Sequence, residues 1–124
     1  MDAARWKRIE ELFRGAIALA DGDRERFLGG CNDDDARVEV MALLASAGGT
    51  APLVDDSRPG DLVAFDVALD ALAKIDERKA RAVELRYFGG LTHAEIALVL
   101  GLHVNTVNRD LELALAWIRR QLSA

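Results

Sequence analysis

One cysteine, Cys31, stands in the 124 residues. An intrachain disulfide is therefore impossible and a cysteine-based zinc site implausible, which fits a reducing cytosol. Cys31 reads as a small core residue. Proline occurs only at Pro52 and Pro59, and valine and isoleucine rarely alternate with polar residues. That pattern argues against strands and leaves little to interrupt helices. No apolar run approaches the roughly 20 residues of a membrane-spanning helix. The N-terminus is amphipathic and carries Asp2, Glu10 and Glu11, unlike a secretory signal or an acid-poor transit peptide. The chain is expected to be cytoplasmic, with no membrane partner.

Histidine is also scarce, with only His93 and His103. Neither has a nucleophile or carboxylate at motif spacing, so no enzymatic chemistry and no cofactor is expected. Asp33-Asp34-Asp35 raises the question of a metal site. No other ligand pattern lies nearby, and a solvated helix start explains the run better.

Positive charge is short overall, the net being −5, yet its distribution is uneven. Residues 1–77 hold 9 Lys/Arg against 17 Asp/Glu, whereas residues 78–124 hold 7 against 4. The basic excess falls in the second half, where phosphate binding would need it.

Hydrophobic residues make up 51% of the chain, enough for at least one packed core. Residues 3–20 read as an amphipathic helix with Trp6, Ile9, Phe13, Ala16 and Ile17 on one face. Asp21-Gly22-Asp23 is expected to break it, with Asp23 placed to cap a short second helix through Phe27 and Leu28, ended by Gly29-Gly30. A third starts at Asn32 to Asp35 and is expected to bury Val38, Met41, Leu44 and Ala45. Ala47 to Gly60, AGGTAPLVDDSRPG, reads as a linker in which Leu53 and Val54 have the option of docking on a flanking unit. Asp61 caps a helix with Leu62, Phe65, Leu69, Leu72 and Ile75 inward. Asp76 caps the next, with Ala80, Val83 and Tyr87 inward, and Gly89-Gly90 stops it. The fold class is all-α: a small N-terminal helical bundle over 1–46, a linker over 47–60 and a four-helix unit over 61–124.

The organising stretch is Leu91 to Leu111, LTHAEIALVLGLHVNTVNRDL. Thr92 and Glu95 form a capping box. Ile96, Val99 and Leu100 give an apolar face, and Ala97 is small where a second helix must approach. Gly101 supplies the left-handed turn, buried by Leu102 and Val104. Val107 and Leu111 seat the second helix, and its stripe continues through Ala114, Ile118 and Leu122. Thr106, Asn108 and Arg109 are expected to point outward. This spacing predicts a helix-turn-helix.

AVELRYFGGLTHAEIALVLGL at 82–102 and TVNRDLELALAWI at 106–118 carry a family resemblance. From Leu69 onward the chain resembles the C-terminal region-four domain of bacterial sigma factors, nearest the extracytoplasmic-function group. The resemblance implies reading of a promoter −35 element in double-stranded DNA and docking on the β-subunit flap of RNA polymerase. His103 stands where the family usually has a serine cap, and Asn108 where it often has a cation; each exchange is expected to remove a cap or a charge. RWKRIEELFRGAIAL, RERFLGGC and ARVEVMALLASA resemble a helical segment found beside bacterial serine/threonine kinase domains, without any kinase motif. They do not look like the sigma region that holds unpaired bases, lacking its aromatic and basic cluster.

The DNA-binding residues expected are Thr92, His103, Asn105, Thr106, Asn108 and Arg109. Asn105 and Asn108 suit paired contacts to adenine edges, and Arg109 a guanine or a phosphate. Thr106 and the amides near Thr92 suit the backbone. The alternative for Arg109 is an intrahelical pair with Glu112 or Asp110. The alternative for the whole chain is a protein-interaction module, in which the acidic N-terminal segment binds a partner or masks the basic half and the helix-turn-helix only docks on polymerase.

Overall fold

The computed structural model describes residues 3–19, 21–30, 34–47 and 59–123. The expectations for Cys31, Asn32, Asp33, Leu53 and Val54, and most of the linker, lie outside them. The described residues form seven helices: α1 (Ala3–Ile17), α2 (Asp21–Gly29), α3 (Asp34–Ala47), α4 (Pro59–Ile75), α5 (Glu77–Tyr87), α6 (His93–Leu100) and α7 (Val104–Ser123). The fold is all-α, as the periodicity indicated.

Helix α1 buries Trp6, Ile9, Phe13 and Ala16 along one face. It stops at Ile17 because Arg24 of α2 satisfies its last carbonyls: the guanidinium donates to Ala16 O at 3.0 Å and to Ile17 O at 3.2 Å. Gly15 lets α2 come close, since a Cβ there would stand 2.6 Å from the Phe27 ring. Leu28 is buried beneath α2, while Phe27 stays partly exposed. In the first turn of α3, Asp34 pairs with Arg37.

The inward face of α3 differs from the expected one. Ala36, Val40 and Leu43 are buried, whereas Val38 is 61% exposed and Met41 also faces solvent. Two apolar stripes run along this helix at helical spacing, and packing on α1 and α7 buries the one made of Ala36, Val40 and Leu43. Helix α4 buries Phe65, Ala68, Leu69 and Leu72 but leaves Leu62 out. Asp76 caps α5 as expected, accepting from the Lys79 amide. Ala80 and Val83 are buried; Tyr87 is not, its ring resting at the edge of Phe65 with centroids 5.7 Å apart.

Helix α7 is the element on which the others converge. Helices α1, α3, α4, α5 and α6 all pack on it, and their buried side chains form one cluster. Leu113, Ala114, Ala116, Trp117 and Ile118 are all buried and Leu115 is partly so, which leaves the middle of α7 covered over most of its circumference. Trp6 meets Trp117 edge to face, centroids 6.3 Å apart at 87°. Arg120 forms an ion pair with Glu39 of α3.

A buried ion network ties α1, α5 and α7 together. Lys79 is 1% exposed, and its Nζ donates to Glu10 Oε2 and Asp76 Oδ2, each at 2.8 Å. Asp110 Oδ1 lies 3.4 Å from the same nitrogen, and Asp110 also receives two bonds from Arg78. The Trp6 indole donates to Asp76 Oδ2 at 3.0 Å. Burial by itself would lower the Lys79 pKa, but the Asp76 and Glu10 bonds outweigh it and hold the ammonium above the ordinary lysine value. Burial likewise pushes the Asp76 carboxyl up, and the Lys79 and Trp6 bonds bring it below the usual carboxylate value. Nothing at sequence level singles out Lys79, because a charged residue on a helix is ordinarily solvated.

Candidate nucleic-acid interface

The turn between α6 and α7 is built by local chemistry. Thr92 Oγ1 accepts from the Glu95 amide at 3.2 Å, and Glu95 Oε1 accepts from the Thr92 amide at 2.9 Å. This is the expected capping box, and those bonds hold the exposed Glu95 carboxyl below its usual pKa. Gly101 sits at φ 69°, ψ 34° and closes α6, with the Leu102 amide returning to Ala97 O. Ile96 and Ala97 are buried against α7. Val99, expected inward, is 52% exposed, and Leu98 is 85% exposed. The short α6 offers only Ile96, Ala97 and part of Leu100 to the core.

His103 does not remove the cap. Its Nδ1 accepts from the Asn105 amide at 3.1 Å, and its carbonyl accepts from Thr106 and Val107. An imidazole nitrogen serves here as the serine oxygen would. A neutral ring with the proton on Nε2 is the form that can accept at Nδ1.

Val107 and Leu111 anchor the start of α7, and the exposed positions fall on the opposite side. Asn105, Arg109 and Glu112, at i, i+4 and i+7, make one solvent-facing stripe. Thr106 is half-buried beside it. Arg109 is exposed at the mouth of a cleft shared with Glu10, Arg14 and Ile17 of α1. Asp110, one of its two candidate intrahelical partners, is instead held by Arg78 and Lys79.

Asn108 departs from the outward orientation expected for it. It is half-buried, and its Oδ1 contacts His93 Nδ1 across the α6–α7 junction. The cleft around that contact is lined by Arg86, Arg119 and Tyr87 among others. The structure thus brings Asn105 and Arg109 onto one stripe and sets Asn108 on its flank. Thr92 lies apart at the start of α6. The His93–Asn108 contact joins residues 15 positions apart, which local spacing does not reveal.

The ECF sigma factor family model matches residues 21–124. The chain belongs to the ECF sigma factor family. ECF sigma factors are transcription-initiation regulators rather than enzymes, and they act with RNA polymerase on promoter DNA. The ECF sigma factor match takes in α2 and α3 as well as α4 to α7. No curated protein and no solved structure matches the chain. Among the described residues of this ECF sigma factor chain, no helix is long and apolar enough to cross a membrane.

Proposed function

We propose that residues 61–124 act as a region-four-like unit that reads a −35-like promoter element and docks on the β-flap of RNA polymerase in the cytoplasm. The observation that carries this reading is the stripe of Asn105 and Arg109 on the first turns of α7, opposite the buried Val107 and Leu111. The N-terminal half of α7 enters the major groove. Asn105 meets a base edge, and Arg109 meets a guanine or a phosphate. Asn108 adds a contact from the flank. Thr106, His103 and the amides at the Thr92 cap hold the sugar-phosphate backbone. The basic excess of residues 78–124 supports the same placement.

A second reading is a protein-interaction module without sequence reading. Exposed Leu98 and Val99 on α6, with Leu62, Val63 and Val67 on α4, favour it, as does the acidic N-terminal segment. Fluorescence anisotropy on a duplex carrying a −35-like site and on a scrambled duplex, each at low and moderate salt, separates the two. Salt-sensitive binding that prefers the first duplex supports DNA reading. No binding to either, together with capture of RNA polymerase core, supports the interaction module.

A further inference from the structure

The acidic charge of the N-terminal segment is not spread evenly. Residues 21–47 hold 7 Asp/Glu against 3 Lys/Arg. Helix α1 reverses that balance, with Arg5, Lys7, Arg8 and Arg14 against Glu10 and Glu11. This basic helix is also the one beside the reading stripe. Trp6 meets Trp117, Glu10 and Asp110 share Lys79, and Arg14 lines the same cleft as Arg109. Later residues of α1 thus meet earlier residues of α7. The two helices run antiparallel, and the last turn of α1 stands beside the second turn of α7.

Glu10 acts as a clip between the buried network and this surface. Its Oε2 accepts from Lys79 Nζ and its Oε1 accepts from Arg14 Nη2, each at 2.8 Å. Arg14 is therefore held by a carboxylate that is itself pinned, while its side chain stays 46% exposed. A guanidinium carries five N–H donors in a planar fork, so the bond to Glu10 leaves it able to grip an anion. Of the other acids in the cleft, Asp110 is turned to Arg78 and Lys79, and Glu112 lies on the exposed stripe. A helix about 10–12 Å across fills a major groove about 12 Å wide, so phosphates run along both its flanks. An element packed on the flank of α7 meets one of those strands. We propose that Arg14 of the N-terminal segment belongs to the nucleic-acid interface and holds a DNA phosphate beside the groove that α7 enters. The contact adds affinity and carries no sequence information. The N-terminal segment then extends the DNA face and does not mask it. This inference rests on the DNA-reading function proposed above and adds to it a contact from outside residues 61–124.

The test uses the full chain and fluorescence anisotropy across a salt series. Arg14→Gln removes the charge and keeps an amide donor for Glu10. It should weaken binding to the −35-like and scrambled duplexes by the same factor and lower the salt slope by about one unit. The deficit should shrink roughly three- to fourfold as salt rises fourfold. Its thermal melt should match the parent, because exposed ion pairs contribute little to stability. Lys74→Gln removes an exposed cation from the last turn of α4 and controls for net charge; it should keep the parental slope. Duplexes with a single uncharged methylphosphonate, stepped outward from the −35-like element, locate the contact. One such linkage should weaken the parent and leave Arg14→Gln unchanged.

Four results overturn the inference while leaving DNA binding by the parent intact. One is parental affinity and slope in Arg14→Gln. Another is tighter binding by that variant, the mark of a helix that masks the groove. A third is an equal fall in slope for Lys74→Gln, which reduces the effect to net charge. The last is a methylphosphonate series in which every linkage affects parent and Arg14→Gln alike. A parent that binds neither duplex removes the DNA reading itself and this role with it.

Discussion

Lys79 Nζ and Glu10 Oε2 lie 2.8 Å apart across 69 positions of sequence. Lys79 of α5 also lies 3.4 Å from Asp110, so this one ammonium links the N-terminal segment to α7, whose exposed side carries Asn105 and Arg109. Lys79→Ala would leave Glu10, Asp76 and Asp110 without their shared cation. Removing one partner of a buried pair costs about 3–5 kcal/mol, and urea unfolding should show a loss of that order. Glu10→Gln keeps an acceptor near Lys79 and should cost less.

The same network sets the pH limits of stability. Asp76 has a folded pKa below its ordinary 3.8, so its contribution is present above that value and is lost as pH falls through the folded pKa. Lys79 has a folded pKa above its ordinary 10.5, so its contribution is present below that value and is lost as pH rises through the folded pKa. Urea midpoints should therefore be flat for these groups between the two ordinary values and fall on both sides. In Lys79→Met the alkaline fall assigned to Lys79 should disappear.

Gly101→Val should destabilise the motif. At φ 69° a β-branched residue is strained, by about 1–3 kcal/mol. Gly101→Asn should be milder, because asparagine tolerates that region. A Gly101→Val melt matching the parent would contradict this account of the turn.

Limited proteolysis should cut first between residues 47 and 60, where α3 ends and α4 begins. The division into units 1–46 and 61–124 stands as a proposal that this cut would support. The released 61–124 piece should melt below the full chain, since α1 and α3 pack on α7 and Trp6 covers Trp117. Trp117→Ala in the full chain should cost about 3–5 kcal/mol, as for other buried aromatics. Equal resistance at every exposed site would argue against a linker.

Arg109→Ala should weaken duplex binding and reduce its salt slope by about one unit, through loss of one cation from the interface. Asn105→Ala should leave the slope alone and lose discrimination by about 1–3 kcal/mol. Thermal melts of both should match the parent, because these side chains face solvent. Parental binding in both variants would move the argument to the interaction-module reading.

The helix-turn-helix was legible because its signals are local. Thr92 and Glu95 are three apart, and Gly101 needs no partner to declare a turn. The face of α3 was not legible: Val38 and Met41 compete with Val40 and Leu43, and only the position of α7 decides between them. His103 as a cap was hidden by residue type, since a ring nitrogen accepting an amide is rarer than a hydroxyl doing so. Lys79 and the His93–Asn108 contact depend on residues brought together by tertiary packing, which periodicity does not encode.

Ile17, the last residue of α1, lines the clefts on both sides of Glu112. Beyond that point buried side chains predominate on α7, with Leu115 and Arg119 only partly covered. The free stretch from Asn105 to Glu112 covers about 12 Å of helix axis at roughly 1.5 Å per residue. The major groove of B-form DNA is about 12 Å wide. Under the DNA-reading function proposed above, the end of α1 would act as a depth stop that limits α7 to a single groove crossing. At about 3.4 Å per base pair, that crossing exposes three or four pairs, and any longer operator must draw its remaining specificity from another subunit of the assembly or from the shape of the duplex.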